Sequence, residues 1–244
     1  MKNDHDRGNN VPTSEDAQGL SFKFKGPVGL VGGGGLDAAT VEILRERVDF
    51  FVGADGGGDA LLANGLIPEA VIGDLDSLSV TARRAIPPGR IHLVEEQDST
   101  DFDKAVRSVD APLILAAGFS GARLDHELAA LHVLVCYPDR PVIVIGAQDL
   151  TVHVPARLVL RLTPGQRLSL FPLDGVRVRA EGLKWSFETL DLHPARRIGT
   201  SNAVLSGDVA LFTDRPGLLL IVPREELDAV IAGLAEVEFH SPPG

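Results

Sequence analysis

Cysteine is almost absent from this chain of 244 residues: Cys136 stands alone. An intramolecular disulfide is excluded, and the usage fits a reducing compartment, so a cytoplasmic location is expected. Long apolar runs are missing too. None approaches the roughly 18–20 residues needed to span a bilayer, and no membrane partner is expected. The opening Met1-Lys2-Asn3-Asp4-His5 lacks the apolar stretch of a secretory signal. Positive charge is scarce: 23 Lys and Arg against 34 Asp and Glu leave a formal net charge of −11. That balance argues against nucleic-acid binding, which draws on clustered Lys and Arg. A nucleotide ligand stays open, because a divalent cation and a few local basic groups can supply the positive field.

Residues 1–21 are polar, rich in Asn, Asp and Gly, and without period, which predicts a disordered tail. Over residues 22–148 short apolar runs alternate with helical stretches. Strands are expected at Val28–Val31, Phe50–Gly53, Ala70–Ile72, Arg90–Val94, Pro112–Ala116 and Pro141–Ile145. Helices are expected at Ala38–Arg47, Asp59–Asn64, Val80–Ala85, Phe102–Ser108 and Leu128–Cys136. This alternation predicts an α/β domain with a doubly wound, mostly parallel sheet. Over residues 149–244 the rhythm changes to short runs between Gly, Pro and Asp turns, the signature of an antiparallel β-sandwich or barrel. The last two of the early runs there are Arg167–Phe171 and Val176–Ala180; Ala203–Leu205 is a later one. Helical periodicity returns only over Arg224–Val237.

Acidic residues gather where such a sheet presents the carboxyl ends of its strands, the usual ligand position in open α/β folds. Asp74 and Asp76 follow the Ala70–Ile72 strand and would share a side of an extended chain. Asp98 and Asp101 follow the Arg90–Val94 strand; Asp98 is a candidate helix N-cap, with Asp101 and Lys104 on roughly the same helical face. Asp55 ends the Phe50–Gly53 strand. Unpaired, these carboxylates would repel one another, and a hard divalent cation relieves that. Mg2+ takes one or two carboxylates plus substrate phosphates, so the pattern suggests a Mg2+–polyphosphate site. The bland reading is that the acids cap a helix and form Asx turns. The run Gly32-Gly33-Gly34-Gly35 fits neither the dinucleotide fingerprint nor the Walker pattern, and a flexible turn explains it equally well. Arg123, Asp125 and His126 read on their own as a helix start, and Trp185, the single tryptophan, as a packing residue.

Taken in order, the motifs resemble the thiamine pyrophosphokinase (thiamine diphosphokinase) family. They are Ala54-Asp55-Gly56-Gly57, Gly73-Asp74-Leu75-Asp76-Ser77, Asp98-Ser99-Thr100-Asp101-Phe102-Asp103-Lys104, Arg123-Leu124-Asp125-His126, Gly182-Leu183-Lys184-Trp185 and Thr200-Ser201-Asn202. The resemblance implies transfer of the pyrophosphoryl group of ATP to the hydroxyl of thiamine, giving thiamine diphosphate and AMP. It implies an α/β catalytic domain followed by a β-sandwich, and a homodimer with thiamine held where one subunit's catalytic domain meets the other's sandwich. Carried onto this sequence, Asp74, Asp76, Asp98 and Asp101 hold Mg2+, with Lys104 completing the catalytic set. Asp74 or Asp76 is the expected proton acceptor. Asp55, Gly56, Ser99, Thr100, Lys104, Arg123, Asp125 and His126 contact the nucleotide. Trp185, Thr200, Ser201 and Asn202 receive thiamine, the indole facing the cationic thiazolium. Gly58-Asp59 and Gly121-Ala122-Arg123 depart from the commoner family residues, and Phe187-Glu188-Thr189 matches loosely. Three rival readings remain: a pyrophosphokinase acting on a pterin alcohol, a nucleotide- or thiamine-binding module without turnover, and a Mg2+-dependent phosphatase using an Asp-x-Asp pair.

Overall fold

The computed structural model of the chain describes residues 21–239; the expected N-terminal tail lies outside them except for its last residue. The first half contains β1 (Phe22–Lys23), β2 (Val28–Val31), α1 (Ala38–Arg47), β3 (Phe50–Ala54), α2 (Gly57–Ala63) and β4 (Ala70–Gly73). It continues with α3 (Val80–Ala85), β5 (Ile91–Leu93), α4 (Asp101–Ser108), β6 (Val109–Asp110), β7 (Ile114–Ala117), α5 (Leu124–Cys136) and β8 (Val142–Ile145). Strands β2, β4, β7 and β8 are buried along their whole length, as expected for apolar runs covered on both faces by helices.

Local chemistry sets the helix ends. Asp37 caps α1 by accepting the Thr40 N–H (2.6 Å), and Ser79 caps α3 by accepting the Ala82 N–H (3.0 Å). Arg45 and Arg47 in the last turn of α1 complement the negative end of its dipole.

Six strands run parallel in the order β8-β7-β2-β3-β4-β5. The chain proceeds outward from β2 through β5, then crosses back to place β7 and β8 on the other side. The order reverses between β2 and β7, which opens a crevice at the strand ends there. The two loops bordering that crevice touch: the Gly34 N–H donates to the Gly118 carbonyl (3.0 Å). A Cβ at Gly32 would lie 2.7 Å from the same oxygen, so this approach requires glycine. Strands β1 and β6 form a separate parallel pair that the sequence reading did not anticipate.

The second half contains β9 (Asp149–His153), β10 (Arg157–Arg161), β11 (Arg167–Pro172), β12 (Val176–Glu181), β13 (Phe187–Leu192), β14 (Gly199–Ala203), β15 (Asp208–Thr213), β16 (Leu218–Pro223) and α6 (Leu227–Ala235). Antiparallel sheets β14-β11-β16-β9 and β10-β15-β12-β13 provide the two layers of a β-sandwich. The alternating burial of β10 and β12 places Leu158, Leu160, Val176, Val178 and Ala180 inside. Two expectations shift here. The strand expected at Ala203–Leu205 lies instead at Gly199–Ala203, with Val204 in an isolated bridge to Leu183. A strand at Phe187–Leu192 was not expected.

The two halves share a sheet. Strand β9 pairs antiparallel with β8, so ten strands run without a break from β14 to β5. The expected boundary after residue 148 therefore falls in a hairpin crossed by hydrogen bonds. One buried cluster extends from Leu44 and Leu61, under α1 and α2, through Leu150 and Val152 to Leu158 and Val178 inside the sandwich.

Candidate active site

Strands β3 and β4 are neighbours, and each ends in an aspartate. Asp55 follows β3 with a left-handed backbone (φ 46°) and is almost fully buried. Asp74 follows β4, and Asp101 is the first residue of α4. One carboxylate oxygen from each of Asp55, Asp74 and Asp101 lies within 4.8 Å of the others. Gly73 makes this possible: a Cβ there would sit 2.8 Å from the Asp101 Oδ1 and 3.0 Å from the Asp55 Cβ. A side chain on residue 73 would occupy the space in which the acids converge.

Lys104, one turn into α4, balances the cluster. Its side chain is only 2% exposed, and Nζ lies 3.3 Å from Asp101 Oδ1 and 3.9 Å from Asp74 Oδ2. The Asp101 Oδ1 also accepts the Asp74 N–H (3.3 Å). The Ser77 N–H reaches both Asp55 oxygens (3.3 and 3.2 Å). Burial, followed by the charge of Asp101, nevertheless pushes the Asp55 carboxyl above its ordinary range despite the Ser77 hydrogen bonds. One ammonium, in contact with Asp74 and Asp101, faces a cluster of three carboxylates, and a cation with oxygen-only ligands fits such a set.

The remaining expected site residues are distributed differently. Leu75 has φ 63°, so residues 74–76 form a tight turn in which the Asp76 N–H donates to Asp74 Oδ1 (3.2 Å). The extended arrangement that would align Asp74 with Asp76 does not form; Asp76 is exposed and outside the triad. Asp98 is likewise exposed in the loop before α4 and is not its N-cap. Thr100 takes that place, its Oγ1 accepting the Asp103 N–H (3.3 Å). Asp98 is therefore not on the helical face it was expected to share with Asp101 and Lys104. Ser99 donates to the Glu96 carboxylate. Gly56 opens α2, packed between Gly33 and Ser77.

Arg123 and Asp125 form a bidentate pair (3.1 and 2.6 Å) on the exposed start of α5, which holds the Asp125 carboxyl low. The His126 N–H also donates to Asp125 Oδ1 (3.0 Å).

At the opposite end of the ten-stranded sheet, Trp185 is 57% exposed and tied to β14. Its N–H donates to Asn202 Oδ1 (3.2 Å), and Asn202 Nδ2 donates to its carbonyl (2.9 Å). Asn202 thus positions the tryptophan loop. The Lys184 ammonium lies 4.8 Å from the indole centroid, a cation–π contact. Ser201 is left-handed (φ 61°), its N–H bonded to Ser169 Oγ (3.0 Å), and Thr200 is exposed beside it. Eight strand spacings of ~4.8 Å separate β14 from β4, on the order of 40 Å along the sheet. A single chain does not bring Trp185 and the triad together.

The member of the carboxylate triad that sequence reasoning did not count among the candidate metal ligands is Asp55, assigned instead to the nucleotide. The available signal was its position: like Asp74, it directly follows a short buried strand.

The chain matches two parts of one family: "Thiamin pyrophosphokinase, catalytic domain" over residues 41–145 and "Thiamin pyrophosphokinase, vitamin B1 binding domain" over residues 150–218. It is 26% identical over 185 residues to Thiamine pyrophosphokinase 1 of Arabidopsis thaliana, covering 64% of this chain and 66% of that protein. The chain thus spans just under two thirds of that plant relative. Similarity to Thiamin pyrophosphokinase 1 of Caenorhabditis elegans is 27% over 192 residues, covering 70% and 77%. The crystal structure of yeast thiamin pyrophosphokinase shares the fold at a TM-score of 0.69 and 17% identity, covering 90% of this chain and 96% of that one.

Proposed function

The chain belongs to the thiamin pyrophosphokinase family, and we propose that it transfers the pyrophosphoryl group of ATP to the hydroxyl of thiamine, releasing AMP. The observation that carries this reading is the convergence of Asp55, Asp74 and Asp101 with a buried lysine at the carboxyl ends of adjacent parallel strands. Transfer of a phosphoryl-type group depends on alignment and charge neutralisation more than on covalent help from the protein.

Asp55, Asp74 and Asp101 would hold Mg2+, which, when bound, neutralises charge on the polyphosphate. Lys104 fixes Asp74 and Asp101 and adds positive charge beside them. The thiamine hydroxyl oxygen bonds to the β-phosphorus while the bond from that phosphorus to the α,β-bridging oxygen breaks, and the bridging oxygen leaves with AMP. The hydroxyl proton passes to Asp76. Its carboxylate is exposed and lies outside the triad. The Thr100 hydroxyl keeps its hydrogen free to donate to a phosphate oxygen, and Arg123 adds an exposed guanidinium at the start of α5.

Thiamine is placed against Trp185, with Thr200 and Ser201 beside it, so the thiazolium would displace the Lys184 ammonium from the indole face. With acids and indole so far apart on one sheet, the reading requires two copies of the chain, each contributing one end to a shared site. A cytoplasmic location goes with the lone Cys136, and among the described residues no helix is long and apolar enough to cross a membrane.

The decisive experiment is incubation with ATP, Mg2+ and thiamine, followed by separation of the nucleotides. Thiamine-dependent AMP, lost on chelation, is the expected result. Ligand binding without AMP would leave a binding module, and release of inorganic phosphate would indicate a phosphatase.

A further inference from the structure

The loop over residues 94–100 carries Asp98, Ser99 and Thr100 and connects β5 to α4, whose first residue is Asp101 of the acidic cluster. Few interactions hold it. At its start the Val94 N–H donates to the Gly73 carbonyl (2.8 Å), and at its end Thr100 caps α4. Between these points, apart from the Gln97 side-chain amide donating to the Glu95 carbonyl (3.5 Å), the polar contacts converge on Arg107, nearly two turns along α4. Its Nη2 lies 3.2 Å from Glu96 Oε1, and its Nη1 donates to Ser99 Oγ (3.4 Å). Ser99 in turn donates to the same Glu96 oxygen, closing a three-membered ring of polar contacts.

Arg107 is itself braced. Asp103 Oδ1 is 3.9 Å from Nη1, and that carboxylate accepts the hydroxyl of Tyr137 (2.8 Å), the residue just past α5. Arg140 donates to the Arg107 carbonyl (3.3 Å). Burial opposes ionisation of Glu96, but the Ser99 hydroxyl and Arg107 outweigh it and hold the carboxyl below its ordinary value.

We infer that Arg107 is a positioning residue, clamping the 94–100 loop through Glu96 and Ser99 so that Thr100 is held next to Asp101 of the acidic triad. This rests on the proposed pyrophosphoryl transfer and changes the role of Ser99. Its hydroxyl proton is engaged by Glu96, so Ser99 orders the loop and leaves phosphate contact to Thr100. A loop displaced by about 1 Å can cost up to ~100-fold in rate when reacting groups are misaligned.

The test compares Arg107→Gln, Arg107→Lys, Glu96→Gln and the Glu96→Gln/Arg107→Gln pair in the full chain. The readouts are AMP formation, amide hydrogen exchange over 94–100 and the unfolding midpoint. Arg107→Gln is expected to speed exchange in the loop and lower kcat about 10- to 100-fold, with KM for thiamine unchanged. Arg107→Lys, which keeps the charge but not the fork, recovers part of the rate. The double variant is no slower than Arg107→Gln, because both substitutions open the same ring. Unchanged loop exchange, or a looser loop with wild-type kcat, overturns the inference. So does a loss confined to the unfolding midpoint. Absence of AMP from the wild-type protein would refute the functional reading, while loop exchange would still decide whether Arg107 is a clamp.

Discussion

Replacing Lys104 with methionine separates its packing from its charge. The side chain is almost wholly buried, so methionine preserves the apolar stem while deleting the ammonium. At an effective dielectric of about 20, the contacts at 3.3 and 3.9 Å correspond to attractions of about 5 and 4 kcal/mol, and each carboxylate pair, within 4.8 Å, to a repulsion of at least about 3.5 kcal/mol. These gross terms overstate the net effect, because Asp74 and Asp101 are partly open to water and the lysine was itself desolvated. Removing one member of a buried ion pair costs about 3–5 kcal/mol, and the lower end suits these partners. We therefore expect Lys104→Met to lose about 3 kcal/mol of unfolding free energy in EDTA. Binding of Mg2+ at ~100 times its dissociation constant returns about 2.7 kcal/mol. The assay is urea unfolding followed by far-ultraviolet circular dichroism, since the exposed Trp185 is a poor reporter of unfolding. Equal stability of variant and wild type in EDTA would refute the electrostatic account. So would a loss that Mg2+ leaves untouched.

Gly73→Ala places a methyl group 2.8 Å from an Asp101 oxygen. Mg2+ affinity is expected to fall at least tenfold, read by titration calorimetry; wild-type affinity would show that the acids need not converge over Gly73. His153 supplies a pH prediction: burial lowers its pKa to about 4, and the Gly217 N–H reaches its Nε2 (3.4 Å). Its folded value lies below the unfolded one, so the unfolded chain takes up the proton first as pH falls. Stability is full above about pH 6.5 and declines toward pH 4, with about 2 kcal/mol already lost at pH 5. His153→Gln should flatten that slope between pH 6.5 and 5 in urea unfolding; an unchanged slope would assign it to other groups.

The parallel half of the fold was legible because its strands are continuous apolar runs, and Val28–Val31 and Val80–Ala85 fall where expected. Strand β13 was not, because Phe187–Leu192 is an edge strand with little buried surface and therefore no clear alternation. The polar edge strand β14 was displaced in the reading toward the more apolar Ala203-Val204-Leu205, which forms only a bridge. At the site, the acids could be named but not grouped. Asp55 joins Asp74 because β3 pairs with β4, a matter of strand order. Asp76 leaves the group because Leu75 turns left-handed, which a leucine does not advertise. Ser99 was read as free for phosphate because nothing in the local sequence signals that its hydroxyl hydrogen is taken by Glu96, which an arginine eight residues beyond Ser99 holds in place.

The β8–β9 hairpin has a consequence for anyone dividing this protein. A cut near residue 147, where the composition changes, would strip β8 of its antiparallel neighbour and leave a row of unpaired amides along Ile143, Val144 and Ile145. The separated second half would bear the matching raw border along β9. Each fragment would offer a sticky template for the other or for itself, so aggregates are the expected product of expressing either half alone.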